Sequence, residues 1–284
     1  MLVANMARME STTLSLDDGR DLLCYDSEVK DAALTIVWHH GSPQTGAILE
    51  PLLAAAADRG IRMMSFGRAN YGGSSELRGR DVASVASDVA SLADSFGVER
   101  FAVMGASGGG PQALACAGLL GDRVTGVATF ASLAPFDADI DWFDGMAADG
   151  ESLRAAAAGR AAREKYEETA EFDPTSFNDR DYAALTESWA DLGRDVGASA
   201  AWGTVGVIDD DLAFVSPWGF DVAEIGCPVL LAHGGDDRVV PATHSEWLVR
   251  AIPDAELWLR PRDGHIAILD TVPVAMDWLL RNAR

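Results

Sequence analysis

Three residue types that together carry out nucleophilic catalysis lie far apart in this chain. Ser107 lies in the stretch GASGGGPQALA, Asp237 in GGDDRVVP and His265 in RPRDGHIAI. A serine hydroxyl is a weak nucleophile until a neighbouring base removes its proton, and a carboxylate can fix the tautomer of a histidine that acts as this base. Serine, carboxylate, histidine is one of the known orders of such a group along a chain. The sequence therefore predicts nucleophilic catalysis if the fold brings the three side chains together.

Glycines surround Ser107 at the spacing G-x-S-x-G, between Gly105 and Gly109. The apolar segment RFAVM precedes them and a helical segment follows, in which Pro111 is tolerated because it falls in the first turn. Glycine permits a tight strand-to-helix turn that leaves the serine hydroxyl exposed. Because the spacing alone arises often by chance, the flanking strand and helix carry the prediction.

The elements that must position these residues alternate along the chain. TTLSL and DLLCYD flank the turn DDGR and predict a hairpin. Six later segments are predicted to be buried strands separated by helices, namely ALTIVWHHG, IRMMSF, RFAVMG, VTGVATFA, PVLLAHGG and AELWLR. Such alternation predicts an α/β fold, with a mostly parallel twisted sheet and helices on both faces.

The alternation stops between residues 136 and 222, where no convincing strand is found. This segment contains helical stretches such as ESLRAAAAGRAAREKYEETAEF and DRDYAALTESWADLGRDV. It is too long to be a plain loop between two strands of one sheet. We therefore expect a helical cap at residues 136–222, inserted into a core formed by residues 1–135 and 223–284.

Candidate reactive residues follow several of the predicted strands. In open α/β sheets, ligands bind at the carboxyl ends of the strands, and Ser42, Ser107 and His265 all come directly after strands. Asp236 and Asp237 follow a common strand, but adjacent side chains in an extended segment point in opposite directions. Only one of the two carboxylates can therefore reach His265 easily.

Composition narrows the possible partners. The chain of 284 residues is 48% hydrophobic and carries a formal net charge of −22, with a pI near 4.4. Nucleic acids and anionic membranes bind basic patches, so we expect a small-molecule substrate, no nucleic acid and no membrane partner. Cys24, Cys116 and Cys227 suggest neither a disulfide framework nor a zinc site. Since MLVANMARMESTTLSL lacks the apolar run of a signal peptide, we expect a cytoplasmic protein.

From about Thr12 to its C-terminus, the sequence resembles the α/β-hydrolase superfamily. It is most similar to small capped hydrolases such as esterases, cofactor-free haloperoxidases and proline iminopeptidases. The resemblance rests on the turn around Ser107, on DRVVP beginning at Asp237, on His265, and on HGSP at residues 40–43, which matches an H-G-x-P loop. It implies that Ser107 is the nucleophile, His265 the base and Asp237 the acid.

The resemblance also implies the site's remaining components. The backbone N–H groups of Ser42 and Gly108 would form the oxyanion hole, and neither a metal nor an organic cofactor is required. One family loop, D-x-P-G-Y-G-x-S, is altered here to GRANYGGS, with Gly67 in place of the Asp and Asn70 in place of a Gly. Asn tolerates positive φ better than most residues, so we expect the turn to survive. A serine nucleophile, rather than an aspartate, argues against a dehalogenase or an epoxide hydrolase.

The predicted cap should select the substrate. Its aromatic residues are expected to form the cap core, with some lining an apolar acyl pocket; they are Trp142, Phe143, Phe172, Phe177, Tyr182, Trp189, Trp202, Phe214 and Trp218. The acidic run DADIDWFDG fits either a solvated edge or a site for the free amine of an aminopeptidase substrate.

The function implied is a serine hydrolase that cleaves small esters or related acyl compounds through an acyl-enzyme. Three other enzymes remain open: an aminopeptidase of the proline-iminopeptidase type, a carbon–carbon bond hydrolase and a cofactor-free perhydrolase. A non-catalytic receptor or scaffold is a fourth alternative. Such proteins usually lose a member of the catalytic triad, whereas this chain keeps all three.

Overall fold

The computed structural model of the protein describes residues 10–283. The expectation that no signal peptide is present falls mostly on residues 1–9, outside the described residues. Within residues 10–283, eight strands form a single sheet: β1 (Glu10–Ser15), β2 (Asp21–Asp26), β3 (Leu34–His39), β4 (Ile61–Phe66), β5 (Phe101–Ala106), β6 (Val124–Phe130), β7 (Val229–Gly234) and β8 (Ala255–Arg260).

The sheet has the order β1-β2-β4-β3-β5-β6-β7-β8. The β1–β2 hairpin is antiparallel, with Thr12 opposite Cys24, and β2 pairs antiparallel with β4. Every other pairing, from β4 to β8, is parallel. The predicted hairpin and mostly parallel sheet are therefore confirmed, and the carboxyl ends of β3 to β8 lie along one edge.

Helices cover both faces of this sheet. The helices outside the long segment between β6 and β7 are α1 (Glu50–Ala57), α2 (Val85–Ser95), α3 (Gly109–Leu119), α9 (Thr243–Ala251) and α10 (Val272–Asn282). Between β6 and β7 lie α4 (Glu151–Ala157), α5 (Arg160–Glu167), α6 (Asp179–Thr186), α7 (Ala190–Ser199) and α8 (Val205–Phe214).

The core has two layers because successive strand side chains point to opposite faces. On one face, Val37 and Val103 pack in the same cluster as Leu92 of α2. On the other, Trp38 and Met104 pack with helices α1 and α10. All six residues of β5 are buried, which explains its uninterrupted apolar sequence.

Residues 136–222, here called the insert, contain five α-helices and, within the described chain, no strand. The two longest helical stretches in its sequence each form two shorter helices. Gly159, at φ +108°, separates α4 from α5, and residues 187–189 separate α6 from α7. Helix α1 also begins later than its apolar pattern suggests, at Glu50, with Pro51 in its first turn.

Candidate active site

Ser107 lies at the sharp turn between β5 and α3, with φ at +52°. Such a conformation is costly for a residue with a Cβ and persists only where the surroundings enforce it. The Ser107 N–H donates to the carbonyl of Phe130 on β6 at 2.8 Å, and the N–H of Gly110 donates to the carbonyl of Ser107 at 2.9 Å. These hydrogen bonds fix the turn and leave the serine side chain at the carboxyl edge of the sheet.

The glycines beside Ser107 are required by close backbone approaches. A Cβ on Gly105 would lie 2.1 Å from the carbonyl oxygen of Gly109. A Cβ on Gly109 would lie 2.1 Å from the carbonyl oxygen of His39, at the end of the neighbouring strand β3. The helix can therefore start directly against the sheet only if both positions lack a side chain.

His265 and Asp237 meet at the same edge. Nδ1 of His265 lies 2.8 Å from Oδ2 of Asp237. The other carboxylate oxygen of Asp237 accepts hydrogen bonds from the N–H groups of Val239 and Val240, at 2.9 and 3.0 Å. Asp236 has different partners: Asn178 donates to it at 3.0 Å and Arg238 forms an ion pair with it at 3.2 Å. The two adjacent carboxylates therefore have different partners. β7 ends at Gly234 and residues 235–236 form a turn, so the alternation expected of an extended segment does not account for the difference.

The electrostatics of this pair favour a charged carboxylate and a basic imidazole. Burial on its own would raise the pKa of Asp237, but the neighbouring His265 and His233 hold it well below its usual range. Burial lowers the pKa of His265, but the charge and hydrogen bond of Asp237, with the charge of Asp181, outweigh this and raise it above 6.5. With Nδ1 bound to Asp237, Nε2 is the imidazole nitrogen left for another partner.

The loop after β3 lies against the turn of Ser107. A Cβ on Gly41 would lie 3.6 Å from the Cβ of Ser107, and a Cβ on Gly108 would lie 2.7 Å from Oγ of Ser42. Ser42 and Gly108, the two residues predicted to supply the oxyanion hole, are therefore neighbours. Gly108 precedes helix α3, whose first N–H groups have no partner within the helix.

A buried charged cluster beneath this loop was missed by sequence reasoning. Asp210 of α8 is completely buried, and its carboxylate pairs with Arg68 and Arg80, each at 2.6 Å. It also accepts hydrogen bonds from Tyr71 at 2.9 Å and from the hydroxyl of Ser42. Asp210 therefore links the insert to the loop after β3. The only sign of this cluster in the sequence is the run of three aspartates within the otherwise apolar helix α8.

Arg68 and Asn70 show how the altered GRANYGGS loop is held. The Arg68 guanidinium donates to the carbonyl of His40 and to the Ser42 hydroxyl, the latter at 3.1 Å. Asn70 adopts φ +69°, the positive value expected when Asn replaces Gly. The turn is thus retained although Gly67 stands where the family has Asp.

Ser107 and His265 face a common cavity of about 450 Å³. Its lining from the sheet side includes Trp38, Ser42, Leu49 and Leu269, and the insert contributes Phe172, Phe177, Leu185, Leu192 and Val196. The lining is mostly apolar, and within residues 10–283 no carboxylate contributes to it. The arrangement suits a small uncharged ligand with an apolar group.

The aromatic residues of the insert occupy several environments. Phe172 and Phe177 line the cavity. Trp142, Trp189 and Trp218 are buried in the apolar core, whereas Trp202 is half exposed. The acidic run at residues 137–145 does not contribute to the lining of the cavity.

A sequence model of the alpha/beta hydrolase fold family matches residues 35–272. The chain belongs to the α/β-hydrolase family. The match covers most of the chain and includes the turn around Ser107, the loop after β7 and the segment of His265.

Solved structures with this fold include several enzymes of different activity. A thermophilic esterase from Thermogutta terrifontis is 19% identical, with a TM-score of 0.71 over 97% of this chain and 100% of that chain. An enol-lactonase from Burkholderia xenovorans is 18% identical, with a TM-score of 0.70 over 94% and 99% of the two chains. A bromoperoxidase from Bacillus anthracis is 18% identical, with a TM-score of 0.70 over 96% and 100%. At these identities the likeness is one of fold.

The described residues offer neither a metal site nor a membrane-spanning helix. Among residues 10–283, no group of three or more His, Cys, Asp or Glu side chains is placed to hold a metal ion. Over the same range, no helix has the length and apolar character needed to cross a bilayer.

Proposed function

We propose that this α/β-hydrolase is a serine hydrolase that cleaves small uncharged esters. The observation that carries the proposal is the placement of a strained, half-buried serine and a carboxylate-bound histidine on one apolar cavity. A backbone conformation of this cost is typical of residues held for function.

The proposed reaction follows from the roles these groups can play. Ser107 Oγ attacks the ester carbonyl carbon while Nε2 of His265 takes its proton. The imidazolium, stabilised by Asp237, then protonates the departing alcohol as the C–O bond breaks, leaving an acyl-enzyme. A water molecule, deprotonated by His265, attacks the acyl carbon, and the acid leaves as Ser107 recovers its proton.

The oxyanion formed in each attack needs donors that are already in place. We propose the N–H groups of Ser42 and Gly108, because the two residues are adjacent and Gly108 lies at the N-terminus of α3. The positive end of the helix dipole adds to their effect. The buried Arg68, hydrogen-bonded to Ser42 and His40, would hold the loop in this position.

We further propose that the insert is a cap that selects the acyl group. Its Phe172, Phe177 and Leu192 line the same cavity as Ser107. An aminopeptidase would need an anionic partner for the substrate ammonium, so the lack of a carboxylate in the described lining favours esters.

The test is a panel of chromogenic esters of increasing acyl length, run beside prolyl-arylamides. We expect turnover of uncharged esters, little cleavage of the arylamides, and a loss of about 10⁴- to 10⁶-fold in kcat for Ser107→Ala. The exposed Ser87→Ala serves as the matched serine control. Preferential cleavage of prolyl-arylamides would favour the aminopeptidase, and ester turnover that survives Ser107→Ala would refute the serine mechanism.

A further inference from the structure

The first turn of helix α6 contacts both loops that carry the acid and the base. Nδ2 of Asn178, the residue before the helix, donates to Asp236 at 3.0 Å in the loop after β7. Nε of Arg180 donates to Asp263 at 2.7 Å, two residues before His265. The start of α6 therefore contacts both the loop that carries Asp237 and the loop that carries His265.

Asp181 makes the most direct of these contacts. Its Oδ1 accepts hydrogen bonds from the N–H groups of Ile266 and Ala267, both at 2.8 Å. Its Oδ2 accepts from the N–H of Asn178 at 3.1 Å, which completes a capping box at the start of α6. The side chain is fully buried, so these hydrogen bonds are formed away from water, where leaving them unmade is costly.

The backbone on the other side of His265 is packed against the same carboxylate. A Cβ on Gly264 would lie 2.0 Å from Oδ2 of Asp181. The residues at positions 264, 266 and 267 all touch Asp181, so its carboxylate holds the chain on both sides of His265. A capping residue of α6 alone would not need these contacts.

Asp181 differs from the other carboxylates near His265 in the groups that bind it. Asp237 faces the imidazole from the loop after β7, and His233 of β7 shares that carboxylate at 3.4 Å. Asp263, on the histidine's own segment, is paired with Arg180 and Arg260. Within residues 10–283, Asp181 forms no ion pair, and its carboxylate accepts only from backbone N–H groups. Its negative charge adds to that of Asp237 in raising the pKa of His265 against the effect of burial.

We propose that Asp181 is a positioning residue for His265: it holds the backbone of residues 264–267 in place and sets a second negative charge beside the imidazole. The inference rests on the proposed role of His265 as the base. The insert would then have two roles: it lines the cavity, and through Asp181 it holds the backbone on either side of His265. A shift of α6 would move the imidazole relative to Ser107.

The experiment compares Asp181→Asn with Asp179→Asn. Asp179 lies in the same turn of α6, is exposed and carries the same charge, so both variants remove one carboxylate from the helix N-terminus. Asn at position 181 keeps the size and an oxygen that can accept from Ile266 and Ala267. The readouts are the pH dependence of kcat/KM on an activated ester and the NMR titration of the His265 ring, assigned with His265→Asn.

In wild type and Asp179→Asn, we expect kcat/KM to fall as pH drops through a midpoint above 6.5, because the base must be neutral. In Asp181→Asn, both this midpoint and the NMR midpoint should move to lower pH. Asp181→Ala, which also frees the backbone, should lower kcat/KM about 10²-fold, as expected for a small misplacement of a catalytic group, with partial recovery in Asp181→Asn.

Equal His265 midpoints in Asp181→Asn and Asp179→Asn would overturn the proposal, as would an Asp181→Ala variant with wild-type kcat/KM. If Asp181→Ala fails to fold, the comparison of the two Asn variants decides. In wild-type protein, the amides of Ile266 and Ala267 should exchange slowly with deuterium, and rapid exchange would contradict the hydrogen bonds to Asp181. The NMR and exchange results do not depend on turnover, so an inactive protein would refute the serine hydrolase while leaving the positioning role testable.

Discussion

The neighbouring residues Asp236 and Asp237, which follow β7, differ in burial and in the groups they contact. Asp237 is buried and contacts His265, whereas Asp236 is partly exposed and contacts Asn178 and Arg238. From the sequence, the two are separated by the alternation of side chains along an extended segment. In the structure β7 ends at Gly234 and residues 235–236 form a turn, so the turn sets the directions of the two carboxylates.

Asp181 could not be predicted from the sequence, because its partners are backbone N–H groups 85 and 86 residues away. Every residue except proline has a backbone N–H, so the identities of Ile266 and Ala267 do not indicate that they donate to Asp181.

Asp237→Asn should lower kcat by about 10⁴-fold, because the amide cannot hold the imidazole in the required tautomer. Asp236→Asn keeps an acceptor for Asn178 and should cost about tenfold at most. Both variants are measured on one activated ester, with circular dichroism as the check on folding. An inactive Asp236 variant beside an active Asp237 variant would reverse the assignment of the acid.

At the scale of elements, strands were predicted more accurately than the helices of the insert. β2 and β4 begin and end where DLLCYD and IRMMSF do, because their apolar residues are bounded by polar turns. The insert's helices break at Gly159, which adopts φ +108°, and near Trp189, which is buried and donates a hydrogen bond to Asp270. Helix α8 brings Asp210 beneath the Ser42 loop, a contact over 168 residues that local patterns do not encode.

Removing Asp210 should destabilise the protein strongly. Asp210→Ala leaves Arg68 and Arg80 buried without their carboxylate, and breaking a buried pair in this way costs about 3–5 kcal/mol. The free energy of unfolding, measured in urea, should fall by this order, while the exposed Asp139→Ala should change it little. Equal stability of the two variants would show that the cluster does not hold α8 to the loop.

The cavity side chains of the insert should set the acyl preference. Phe177→Ala enlarges the cavity and should shift the best substrate towards longer acyl chains, judged by the ratio of kcat/KM values across the ester panel. Trp218→Ala, which removes a buried core side chain outside the lining, should lower stability and leave the preference order unchanged. If Phe177→Ala keeps the wild-type order, the insert does not select the acyl group.

At the scale of the whole molecule, buried histidines make stability depend on pH. Burial lowers the pKa of His39 to about 3 and of His244 to about 4, and burial with the charge of Arg68 lowers that of His40 well below 6.5. In the unfolded chain these groups bind protons near pH 6.5, whereas in the folded protein they resist them. The unfolded state therefore gains protons first on acidification, and stability falls as pH drops from about 6.5 towards 4.

We expect the free energy of unfolding to be several kcal/mol lower at pH 5 than at pH 7, since each unit of pKa difference is worth about 1.4 kcal/mol. His265, whose pKa is raised, and Asp211, whose pKa burial raises to about 6, both bind protons more readily in the folded state and oppose this trend over part of the range. His244→Asn should reduce the dependence, because the His244 ring, whose Nδ1 accepts from Ala134, stays mostly neutral between pH 7 and 5 in the folded protein but binds a proton over this range in the unfolded chain. Urea melts at both pH values provide the measurement, and equal stability at pH 5 and 7 would contradict the account.

Covalent labelling of Ser107 tests the central claim most directly. A fluorophosphonate reacts only with a serine whose proton is removed by a nearby base, and it does so without any assumption about the substrate. We expect intact-mass spectrometry to show one equivalent on wild-type protein, peptide mapping to place it on Ser107, and Ser107→Ala to remain unlabelled. Folded wild-type protein that stays unlabelled after prolonged exposure, or that carries the label on another serine, would contradict the claim.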